Sequence, residues 1–112
     1  MSIFEEEDFN IITDAALGHL GADQEFIAIE GLRVVKLLLQ KNRDYGSSAW
    51  QPPFLCPSVP VGEALLVRMS DKVRRISQLT QASPQVATES LEDSIRDLAG
   101  YCLLYLARPT KG

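Results

Sequence analysis

The chain has 112 residues and a mass of 12.4 kDa, with 15 acidic against 11 basic side chains, a formal charge of −4 and 46% hydrophobic residues. One domain fits that length, and separate catalytic and substrate domains do not. A pI near 4.9 argues against a general nucleic-acid binder, whose affinity comes mainly from clustered Lys and Arg, while small anionic ligands stay open.

Residues 2–20 open with Ser2-Ile3-Phe4-Glu5, which has the form of a capping box, and continue through Phe9, Ile12, Ala16 and Leu20 at helical spacing. The acidic run Glu5 to Asp8 suits the positive end of a helix dipole. This stretch, 1–22, is expected to be an N-terminal helical extension to a core over 23–108, the whole forming a single all-α domain.

From Asp23 to Lys41, apolar residues from Phe26 to Leu39 cover most of a helical circumference, which predicts a central helix. Glu30 projects among those apolar positions. If buried, its carboxylate must be paired, protonated or bound to a metal, because an isolated buried charge is costly. The helix is expected to stop in Lys41-Asn42-Arg43-Asp44-Tyr45-Gly46-Ser47-Ser48. Residues 46–62 then carry Pro52, Pro53, Pro57 and Pro60, which exclude a helix or a central strand and leave a long loop between the second and third helices. Trp50 and Phe54 are expected to fold that loop back onto the helices.

A third helix is predicted from Val61 to Leu79, with Leu65, Leu66, Met69, Val73, Ile76 and Leu79 as its apolar stripe. Beside it Arg68, Asp71, Lys72 and Arg75 form a charged ribbon at i, i+3, i+4, i+7. Residues 80–88 read as a linker. The last helix is predicted from Thr88 to Ala107, apolar at Leu91, Ile95, Leu98, Cys102 and Tyr105, with Glu89, Asp93 and Asp97 repeating every four residues on the other side. Like charges at that spacing repel, so the stripe needs a cation to offset it. No period-2 alternation of useful length occurs, and the expected fold is a compact all-α bundle of four or five helices.

The carboxylates Glu89, Asp93 and Asp97 on one helix, and Glu63 and Asp71 on its neighbour, could face each other across a groove suited to Mg²⁺, which prefers oxygen ligands and shared phosphates. Arg68, Lys72, Arg75 and Lys41 would then neutralise a polyphosphate. The competing reading is that the same charges form interhelical salt bridges. Tyr45 and Tyr101 are open to a packing role. His19 is the single histidine, which argues against His-based zinc sites and Ser-His or Cys-His nucleophiles. Cys56 and Cys102, with no export signal at Met1, are expected to be reduced thiols in a cytoplasmic protein, and the apolar segments 26–39 and 98–107 are too short to span a bilayer.

Three segments carry a family resemblance: residues 41–48 as quoted above, Leu66-Val67-Arg68-Met69-Ser70-Asp71-Lys72-Val73-Arg74-Arg75, and Glu89-Ser90-Leu91-Glu92-Asp93-Ser94-Ile95-Arg96-Asp97-Leu98-Ala99-Gly100-Tyr101. Over residues 26–106 the chain resembles the nucleotide-modification-associated domain of phages and bacteria. Its helical pattern is also similar to the all-α, MazG-like nucleoside triphosphate pyrophosphohydrolases. The resemblance implies a Mg²⁺-dependent release of pyrophosphate from (deoxy)nucleoside triphosphates, or an accessory to nucleotide modification, often in a homodimer. It places Asp71, Asp93, Asp97 and Glu89 on the metal, with Glu63 or Glu89 as candidate base. Lys41, Asn42, Asp44, Tyr45, Arg68, Lys72, Arg75 and Tyr101 fall to the nucleotide. The hydrolases carry Glu-Glu-x-x-Glu and Glu-x-x-Asp helices, and here Arg68-x-x-Asp71 and Asp93-x-x-x-Asp97 stand instead. An Arg in place of an acid removes a metal ligand and supplies a phosphate clamp. The competing class is a non-catalytic helical interaction or scaffold domain.

Overall fold

The computed structural model describes residues 4–81 and 84–109, without the side chains of 84–89. Among the described residues four α-helices run in the order α1 (Glu6–Leu17), α2 (Ala22–Tyr45), α3 (Val61–Thr80) and α4 (Pro84–Ala107), with a 3-10 turn at Ser48–Trp50. The described residues contain no strand, so the all-α class holds, as does the Pro-rich loop between α2 and α3.

The backbone divides into two compact units, residues 1–36 and 37–112. In the first, α1 starts at Glu5, whose N–H donates to Asp8 Oδ2 at 2.8 Å. The expected box at Ser2 lies outside the described residues, and the observed start shows that an acid three positions on can cap the backbone equally well. Gly18 closes α1 in the left-handed region (φ 74°), where its N–H and that of His19 reach back to the carbonyls of Ala15 and Asp14.

The second helix departs from expectation. The sequence predicts a central helix, yet none of its residues is buried, and Glu30 faces solvent in an i,i+3 pair with Arg33. An apolar circumference therefore does not by itself place a helix in a core. It also runs through Lys41-Asn42-Arg43-Asp44-Tyr45 before Gly46, at φ 62°, turns the chain, and Asn42 Nδ2 donates to the Gly46 carbonyl at 3.2 Å.

In the second unit α3 and α4 pack extensively and antiparallel, since Lys72 meets Asp97, Arg75 meets Ser94 and Gly62 lies beside Tyr105 and Arg108. The covered face of α3 carries Ala64, Leu65, Met69, Lys72, Ile76 and Leu79, with Leu65 only 1% exposed. The covered face of α4 carries Leu91, Ser94, Leu98, Tyr101 and Tyr105. The expected stripes are thus rotated. Leu66 and Val73 on α3 and Ile95 on α4 are exposed, while the small Ser94 is buried because it accepts a hydrogen bond from the neighbouring helix. The linker also ends earlier than predicted, because Pro84 opens α4; proline suits the first helical position, where its missing N–H has no helical partner.

Gly100 lets α2 approach α4: a Cβ there would stand 3.4 Å from Leu38 Cδ2. Trp50 does tie the loop back, its Nε1 donating to the Leu104 carbonyl at 3.0 Å. Phe54 does not; it is 96% exposed, four residues beyond that tether and without a helix against which to lay its ring.

Candidate functional site

The charged ribbon of α3 splits into two edges. Positions 68, 72 and 75 fall within about 60° of one another on a 100°-per-residue helix, whereas 71 and 74 lie off that arc. Lys72 turns onto α4 and its Nζ lies 3.2 Å from Asp97 Oδ2, both side chains being about half-buried. One turn on, Arg75 Nε donates to Ser94 Oγ at 3.2 Å. Arg68, one turn earlier on the same edge, is exposed. Asp71 lies away from that contact and pairs at 3.8 Å with Arg74 on its own helix. Asp93 likewise pairs with Arg96, 3.5 Å away, and Arg96 also lies 3.8 Å from Glu92.

Among the described acids of α4, Glu92, Asp93 and Asp97 thus receive cations, from two sources. Arg96 supplies a local partner to Glu92 and Asp93, and Lys72 supplies a long-range one to Asp97. A half-buried cross-helix pair of this kind is worth about 1 kcal/mol or less. Its larger effect is to hold an ammonium at a fixed place beside Arg75.

The structure brings together Lys72, Arg75, Ser94 and Asp97. Of the carboxylates expected to hold Mg²⁺, it does not bring Asp71, Asp93 and Asp97 together, and the Glu89 side chain lies outside the described residues. Among the described residues no three His, Cys, Asp or Glu side chains converge, and Asp97 Oδ2 already has the Lys72 ammonium 3.2 Å away. Within one chain, then, Asp71, Asp93 and Asp97 as placed do not fit an octahedral oxygen cage. Glu89 is on α4 with its side chain outside the described set, and Glu63 is exposed in the first turn of α3. Lys41, Asn42, Asp44 and Tyr45 lie in the last two turns of α2, with Tyr45 exposed, and Tyr101 is half-buried on α4.

Two residues were missed in the sequence. Ser94 is given no role by the sequence reading, although its spacing from Leu91, Leu98 and Tyr101 marks it as part of the buried face. Arg108 sits 4.1 Å over the Tyr105 ring and donates through Nη1 to the Tyr105 carbonyl at 2.7 Å, closing the C-terminus of α4. A cation at the end of an apolar helix, next to a tyrosine three residues back, was the available signal.

A family model described as nucleotide modification associated domain 1 matches residues 41–108. The chain belongs to that family. The matched segment starts in the last two turns of α2 and contains the loop, α3 and α4 with all four clustered residues. Comparison with the curated proteins and with the solved structures gave no match. No helix among the described residues is long and apolar enough to cross a membrane.

Proposed function

We propose that this member of the nucleotide modification associated domain 1 family binds a nucleoside triphosphate, or another small phosphorylated nucleotide, by its phosphates along the Arg68–Lys72–Arg75 edge of α3. The observation that carries the reading is the placement of those three cations on one edge, with two of them held by α4. An ammonium has three N–H donors and a guanidinium five, so the bonds to Asp97 and Ser94 use one of each set. Phosphate oxygens would compete with Asp97 for Lys72 and meet a planar guanidinium on either side. Lys41, Asn42, Asp44, Tyr45 and Tyr101 are the candidates for the base and sugar, on the strength of the family resemblance.

The stronger form of the proposal is Mg²⁺-dependent release of pyrophosphate, as in the MazG-like hydrolases. It would require the acids of α3 and α4 to exchange their arginine and lysine partners for metal, and the geometry supports binding better than turnover. The Lys72–Asp97 pair itself favours the alternative, a non-catalytic interaction domain whose charges are already satisfied. Thermal denaturation with a panel of dNTPs, with and without Mg²⁺, separates the two. Ligand at a hundred times its Kd adds about 2.7 kcal/mol to stability, and no shift for any nucleotide at millimolar concentration refutes the binding reading.

A further inference from the structure

The bonds between α3 and α4 fix a register. Arg75 lies level with Ser94 and Lys72 level with Asp97, so each step back along α3 is matched by the same step forward along α4. One more turn sets Arg68 level with Tyr101. Positions 94, 97 and 101 fall within about 60° of one another on α4, as 75, 72 and 68 do on α3, so the three levels stack along one side of the helix pair. The first two levels are closed by a bond across the helices. The third is open: among the described residues neither the Arg68 guanidinium nor the Tyr101 hydroxyl has a hydrogen bond or an ion pair. One turn before Arg68, the same side of α3 carries Ala64, whose methyl group adds little bulk beside that level.

We propose that Tyr101 belongs to the phosphate end of the ligand site and, together with Arg68, selects a phosphoryl group there. The inference rests on the nucleotide-binding reading and deepens it, moving Tyr101 away from the base and sugar. Two features make the hydroxyl, not the ring, the point of contact. Tyr101 is half-buried on the face of α4 that α3 covers, so its ring is engaged in packing, and the polar tip of such a tyrosine is the part that reaches water. Arg68 has five N–H donors and no acceptor, so its level suits a group that only accepts. Phosphoryl oxygens meet that condition, and a guanidinium fork takes two of them at once while the phenol O–H donates a further bond. A sugar hydroxyl or a base amino group instead brings a hydrogen to a guanidinium that cannot accept it.

Isothermal titration of the wild-type chain, Y101F and R68Q with dATP and with inorganic tripolyphosphate, all in EDTA, tests the assignment. Tripolyphosphate presents the phosphates without base or sugar. Y101F keeps the ring and its packing and removes the hydroxyl alone. It is expected to weaken both ligands by the same factor, about tenfold for one lost hydrogen bond to a charged group. R68Q is expected to weaken both by at least as much. Weaker dATP binding by Y101F with wild-type affinity for tripolyphosphate overturns the inference and returns Tyr101 to the base or sugar. Wild-type affinity of Y101F for both ligands overturns it too, and either result leaves nucleotide binding standing. A wild-type chain that binds neither ligand refutes the nucleotide reading itself, and the assignment falls with it.

Discussion

Replacing Asp97 by Asn tests the site most sharply, because the two uses proposed for that carboxylate predict opposite signs. In the structure Asp97 holds Lys72 at 3.2 Å. If the edge binds phosphate, the carboxylate competes with the ligand, and D97N releases an ammonium already in place. The pair is about a third exposed, so its loss is expected to cost about 1 kcal/mol of stability, or about 4 °C in Tm. The same energy, returned to the ligand, is a gain of about fivefold in nucleotide affinity. The variant is therefore expected to be less stable and to bind more tightly. Isothermal titration with a dNTP in EDTA reads the affinity. D93N removes the same formal charge from a carboxylate paired with Arg96 on its own helix, so it controls for the net charge of the chain. Unchanged or weaker binding of D97N in EDTA refutes the competition argument. Binding that is unchanged in EDTA but lost with Mg²⁺ would make Asp97 a metal ligand instead.

Four further outcomes follow from the packing. Leu65→Ala empties the most deeply covered position of the α3–α4 contact and is expected to cost about 2–5 kcal/mol, measured by urea denaturation; a loss below 1 kcal/mol would mean that this contact does not hold the unit together. Trp50→Phe keeps an aromatic ring and deletes the donor to the Leu104 carbonyl, for an expected loss of about 1–2 kcal/mol and faster proteolysis within residues 46–60. Ser94→Ala strips Arg75 of its acceptor; a loss of about 1 kcal/mol and weaker nucleotide binding are expected, and wild-type affinity would remove Arg75 from the proposed site. Gly18→Ala puts a Cβ on a residue at φ 74° and is expected to destabilise the end of α1 by about 1 kcal/mol, read as faster amide exchange at Gly18 and His19.

Much of the helical order was legible because Gly and Pro punctuate it: the prolines of residues 52–60 bound the loop, Gly46 ends α2, and Pro109 follows α4. Faces were less legible than elements. A hydrophobic stripe records which residues prefer burial, and it cannot say whether the cover comes from the same chain, so α2 looked central and is instead exposed. Leu66, Val73 and Ile95 were assigned to the core for the same reason, and Ser94 was passed over because a hydroxyl reads as surface until a guanidinium is placed beside it. The cationic edge at 68, 72 and 75 was visible from spacing alone, since i, i+4, i+7 fixes a helical face. Which anion meets it was not visible. Asp71, Asp93 and Asp97 recur at spacings that a metal site and a set of salt bridges share, and only the positions of Arg74, Arg96 and Lys72 separate those outcomes.

The Trp50 tether is lopsided in what it asks of evolution. The indole must keep its N–H and its place, but residue 104 contributes a main-chain oxygen that every amino acid possesses. Drift at 104 is therefore free with respect to the tether and limited by helix packing alone, while position 50 carries the whole burden. A loop fastened in this way can change its sequence beyond Trp50, around Phe54 and Cys56, without coming loose from the helices.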